Sequence, residues 1–141
     1  AANIHWLGGR DYSELPSYTK AFDVALMPFA LNEATEYINP TKALEYMATA
    51  TPIISTPVPD VVSNFSTVVK ISSSSDHFVK LCQEQVEQVD QVAVVRGLKM
   101  AYENTWDAIV GKLEKHIDDS IARKMPRTQV AEIGQIAASA A

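Results

Sequence analysis

Apolar and polar positions follow two different rhythms along this chain. Residues 23–29, 51–56 and 67–72 are nearly continuous apolar or β-branched runs of strand length, the pattern of strands covered on both faces of a parallel sheet. Residues 3–8 have a similar character and predict a further strand, stopped by Gly8 and Gly9. Between these runs the period becomes helical. Residues 13–22 set Leu15, Tyr18, Ala21 and Phe22 on one side, with Asp11 or Ser13 as the cap, and residues 76–88 align Phe78, Leu81, Cys82, Gln85 and Val86. Residues 60–64 fit a single helical turn. Strands separated by helices predict βαβ units, and so a parallel, Rossmann-like α/β sheet with flanking helices.

The alternation stops near residue 90, and the C-terminal end reads as helical. Residues 91–103 carry Val95, Leu98, Ala101 and Tyr102, and residues 105–124 carry Trp106, Ile109, Val110, Leu113, Ile117 and Ile121 at three-four spacing. Such a stripe predicts a long helix laid against the sheet or against a second domain. Pro126 ends it, so the expected division is a domain over 1–125 and an alanine-rich tail over 126–141.

Composition narrows the function classes. In 141 residues, 47% hydrophobic and 21% charged, there is material for one core. The net charge of -5, with no basic stripe, argues against a nucleic-acid partner. No apolar run approaches the ~20 residues that span a bilayer, and no leader-like pattern opens the chain. A cytoplasmic location is therefore expected, with membrane contact at most peripheral. Cys82 is the one cysteine and reads as a packed thiol, and His5, His77 and His116 fall in separate predicted elements, so neither a disulfide framework nor a metal site is expected.

The stretch with candidate chemistry is residues 39–48. Asn39 is a favoured helix cap, Pro40 suits the first helical position, and Ala43, Leu44, Met47 and Ala48 form an apolar face. A helix begun this way aims backbone N–H groups and the positive end of its dipole at whatever lies ahead, which suits a phosphate. Lys42 adds a full charge. Glu45 lies on the same face and offers a carboxylate to a pair of neighbouring hydroxyls, as on a ribose. The plainer alternative is a solvated Lys42–Glu45 pair that binds nothing. Gly8, Gly9 and Arg10 stand at the C-terminal end of a predicted strand, the edge where ligands of open parallel sheets collect.

Taken in order, Leu7-Gly8, residues 12–18, the run 22–29, Asn39-Pro40-Thr41-Lys42 with Glu45-Tyr46-Met47-Ala48, and residues 52–56 resemble the nucleotide-sugar-binding half of GT-B glycosyltransferases, most nearly the retaining family 4 type. The resemblance covers about residues 3–125. It implies a partial C-terminal domain of a GT-B fold, whose parent enzyme transfers a sugar from a nucleoside-diphosphate donor to a glycan or small-molecule acceptor with retention. It further implies that Glu45 holds the ribose hydroxyls, that Pro40, Thr41 and Lys42 meet the diphosphate, and that Gly8 to Arg10 lie beside the nucleobase. No cofactor or metal is implied beyond the donor itself. The family's first motif glutamate falls at Tyr37 here, so either Glu33 or Glu36 replaces it or the donor sugar is held differently; Ala50 stands where a glycine is usual. The resemblance also implies a missing N-terminal domain as a partner within the same protein, without which this portion alone would be inactive. The alternative is a non-catalytic α/β module that binds a nucleotide or a protein through the face over 105–125. A dinucleotide-dependent oxidoreductase is disfavoured, because no Gly-x-Gly-x-x-Gly follows a strand.

Overall fold

A computed structural model describes residues 2–124. The expected tail over 126–141, and Pro126 with it, lies outside the described residues. The chain divides into two compact units, Ala1–Glu103 and Asn104–Ala141.

The first unit is built on a parallel sheet of three strands in the order β1-β2-β3: β1 Ala25–Met27, β2 Ile53–Ser55 and β3 Lys70–Ile71. Ala25 pairs with Ile53 and Met27 with Ser55; Ile54 pairs with Lys70 and Ser55 with Ile71. The central strand is buried throughout, as its unbroken apolar run predicts. Five helices accompany it: α1 Leu15–Lys20, α2 Lys42–Ala48, α3 Pro59–Phe65, α4 Ser75–Glu87 and α5 Gln91–Glu103. The core gathers Ala25, Met27, Ala43, Met47, Ile53, Val58, Val61, Phe65, Val68 and Val69. α/β architecture with a Rossmann-like parallel sheet is therefore what the alternating pattern produces.

Residues 3–8 are a correction. They form no strand, and Ile4, Trp6 and Leu7 are exposed at 74%, 93% and 53%. An apolar, β-branched run becomes a strand only when a neighbouring strand takes up its backbone N–H and C=O groups. Among the described residues, these six have no such neighbour. The helix predicted over 13–22 is also shorter than expected. A single 3-10 turn at Tyr12–Glu14 precedes α1, and Ala21 and Phe22 lie beyond its end, exposed.

α5 is rotated from the expected face. Ala93 and Gly97 are buried, whereas Val95 and Tyr102 are 64% and 82% exposed. The cause is its close approach to α2, against which it packs most extensively. A Cβ at Gly97 would stand 2.9 Å from Val68 Cγ1 and 3.1 Å from Met47 Cγ. Close helix packing selects the small residues for the interface and turns the valines outward.

In the second unit, α6 spans Trp106–Lys124. Its apolar stripe is present but exposed, with Leu113 at 58% and Ile117 at 50%, so no buried residue comes from this helix. No helix among the described residues is long and apolar enough to cross a membrane.

Candidate functional site

The helix carrying the candidate chemistry begins later than the sequence suggests. Thr41, not Asn39, is its cap residue, and no side chain caps it. The ring of Pro40 fixes the turn first: its carbonyl accepts the Ala43 N–H at 2.9 Å, and the Asn39 carbonyl accepts the Thr41 N–H at 2.9 Å. Thr41 already has helical angles of φ -53 and ψ -24. The N–H groups of Thr41 and Ala43 are thus committed locally, and what this end presents outward is chiefly the charge of Lys42.

At the other end, α2 closes as a Schellman motif. The Thr51 N–H reaches the Tyr46 carbonyl at 3.1 Å and the Ala50 N–H the Met47 carbonyl at 3.0 Å. Ala50 sits there at φ 60, a glycine-type conformation carried by an alanine. The closure sets Thr49, whose Oγ1 lies 3.0 Å from Thr51 Oγ1, which itself donates to the Thr19 carbonyl at 3.0 Å. This chain of hydroxyls ties α2 to α1.

Between the two helices lies a cavity of about 250 Å³ lined by Tyr12, Leu15, Pro16, Thr19, Glu45, Ala48 and Thr49. The spacing explains it: 12, 15, 16 and 19 form one helical face, and 45, 48 and 49 form another opposite. Its walls are mostly apolar, with Glu45 the one carboxylate among them. Pockets that enclose a whole small ligand run to ~300–1,000 Å³, so this one has room for part of a ligand. Glu45 Oε2 also accepts from Lys42 Nζ at 2.5 Å, with the two side chains 35% and 52% exposed respectively. That hydrogen bond holds the Lys42 ammonium above its ordinary pKa, against a smaller opposing effect of desolvation; Tyr46 and Tyr12 add to the rise.

The structure therefore brings together Glu45 and Lys42 from the expected set, with Thr41 directly before them. Arg10 lies with its guanidinium 5.5 Å from the centre of the Tyr18 ring, held against α1 by a cation–π contact. Gly8 takes φ 73, which a residue with a side chain rarely adopts, and has open space around it. Of the expected set only Glu45 lines the cavity; Gly8, Gly9, Arg10, Tyr37, Asn39, Pro40, Thr41 and Lys42 are not among its lining residues. Tyr37 is 86% exposed, beyond a 3-10 turn at Glu33–Thr35 pinned by the Asn32 side chain, which accepts from the Ala34 N–H at 3.0 Å. Tyr12, Leu15, Pro16, Thr19 and Thr49 were not candidates from the sequence; their three-four spacing on facing helices was the available signal.

Residues 1–88 match the family described as glycosyl transferases group 1. The chain belongs to that family. It is a glycosyltransferase domain, in agreement with the GT-B resemblance drawn from its motifs. Among curated proteins it is 23% identical over 118 residues to a Bacillus subtilis (strain 168) protein provisionally named teichuronic acid biosynthesis glycosyltransferase TuaH. The match takes in 81% of this chain and 30% of that protein, so the chain spans about a third of its relative's length. No solved structure matches the chain. The family match contains both helices that form the cavity, so the glycosyltransferase part of the chain and the candidate site coincide.

Proposed function

We propose that this chain holds the nucleoside-diphosphate part of a sugar donor in a transferase that passes the sugar, with retention, to a glycan or other acceptor. The observation that carries the reading is Glu45: a carboxylate at an apolar cavity, in a glycosyltransferase domain, one helical turn from a lysine. The cavity takes the nucleoside against Tyr12, Leu15 and Pro16, Glu45 accepts from the ribose hydroxyls, and Lys42 faces the diphosphate. Charge grows on the departing diphosphate as the glycosidic bond breaks, so a positive group there lowers the barrier. The relative's name links the proposal to teichuronic acid biosynthesis, and a hexose as the transferred sugar belongs to the same reading.

The test is calorimetric titration of the full-length protein with UDP, GDP, ADP and their sugars. One nucleoside diphosphate is expected to bind, and Glu45→Ala to weaken it by on the order of tenfold to a hundredfold, the effect of losing hydrogen bonds to a charged group. Unchanged affinity in Glu45→Ala removes the ribose role; no binding by the wild type returns the chain to the alternative of a non-catalytic α/β module.

A further inference from the structure

The Lys42–Glu45 contact occupies one oxygen, Oε2, of the carboxylate that the donor-binding reading gives to ribose. Lys42 Nζ donates to Glu45 Oε2, while Glu45 also lines the cavity. The two side chains stand three residues apart on one helix face, so a ligand that extends from Glu45 beyond the cavity along the first turn reaches Lys42. The phenols of Tyr12 and Tyr46 are the other titratable groups acting on the lysine. The lysine side chain is half exposed on a flexible four-carbon stem, free to swing, and an exposed ion pair of this kind opens at little cost.

We propose that this pair makes the site selective for a nucleoside 5′-diphosphate over the bare nucleoside, because the lysine masks one of the two carboxylate oxygens, and so the paired grip on two ribose hydroxyls, until a phosphate draws the lysine away. A bare nucleoside must compete with an ammonium for Glu45 and offers the lysine nothing in return. A diphosphate carries more charge than a single carboxylate and accepts the ammonium, and the vacated Oε2 then receives a ribose hydroxyl. Both contacts form in one event, and neither forms well without the other. The inference rests on the donor-binding reading and adds to it a reason why phosphate recognition and ribose recognition are coupled.

The experiment measures affinities of the full-length protein and of Lys42→Met for UDP, GDP and ADP and for uridine, guanosine and adenosine. Circular dichroism checks that the variant folds, as substitution at this half-exposed position allows. For the nucleotide that binds, Lys42→Met is expected to weaken the diphosphate by about tenfold and to tighten the corresponding nucleoside severalfold, so that the preference collapses. A lysine that merely touches phosphate would weaken the diphosphate and leave the nucleoside alone. Nucleoside affinity that is unchanged, lower or still undetectable in Lys42→Met overturns the masking, and so does diphosphate affinity that does not fall. If the wild type binds none of the six compounds, the donor-binding reading fails and the inference with it; wild-type binding alone therefore tells the two failures apart.

Discussion

Ala50 shows how much one backbone angle asks of a side chain. The Schellman closure of α2 requires a left-handed residue after Thr49, and the chain supplies alanine at φ 60. Left-handed geometry costs a residue with a Cβ ~1–2 kcal/mol, partly offset by the larger entropy a glycine loses on folding. Ala50→Gly is accordingly expected to raise stability by up to about 1 kcal/mol, read as a higher denaturant midpoint with unchanged slope. An unchanged or lower midpoint would show that the alanine is not strained there. Residue-scale chemistry was only partly legible in the sequence. Lys42 and Glu45 on one face followed from their three-residue spacing, and the missing glycine at Ala50 was visible as a departure. The cap at Asn39 was misplaced, because Pro40 turns the chain ahead of the helix and its own carbonyl takes the Ala43 N–H. Tyr12, Leu15 and Thr49 carry no site signal of their own in the sequence, because a cavity arises from two faces meeting and neither face announces its partner.

At the scale of elements, α5 illustrates why a hydrophobic count along a helix misassigns its buried side. Val95, Leu98 and Tyr102 outweigh Ala93 and Gly97 in apolar surface, yet the small residues face inward because the axis of α5 approaches Met47 and Val68 too closely for larger ones. Gly97→Val is expected to destabilise by ~1–3 kcal/mol through overpacking, whereas in Gly97→Ala the gain in helix propensity, about 1 kcal/mol, offsets much of the clash. Thermal or urea unfolding of the pair checks the order. The start of the same helix holds a second device: Asp90 caps it by accepting the Ala93 N–H at 3.0 Å and pairs with Lys70 Nζ at 2.6 Å, joining β3 to α5. The Lys70 hydrogen bond, and after it the Ala93 N–H, hold the Asp90 carboxyl below its ordinary 3.8. A depressed carboxyl stabilises the fold above its unfolded pKa, and that contribution is lost as pH falls through the lower, folded value. Asp90→Ala is thus expected to cost about 1 kcal/mol near neutrality, most of it the lost cap, since a half-exposed ion pair adds little. In stability measured against pH, the gap between wild type and Asp90→Ala should narrow below about pH 4; a constant gap would show that the charge contributes nothing.

At the scale of the whole molecule, core and candidate site share one address. Every member of the hydrophobic core and every residue lining the cavity precedes Asn104, the first residue of the second compact unit, and the family match ends at residue 88. Strand-length apolar runs separated by helical ones were enough to read this α/β unit, because burial on both faces of a parallel sheet leaves an unmistakable run in β2. The same rule misread residues 3–8, where the run exists without a neighbour to pair with. Periodicity reports that a face is apolar; what covers it is a separate question. Cooperative folding should therefore belong to the first unit. A chain ending at Glu103 retains the core intact, including Met100 and Ala101 packed against it, and is expected to unfold in a single transition. A broad, non-cooperative melt of the shortened chain would show that residues up to Glu103 do not fold as one cooperative unit.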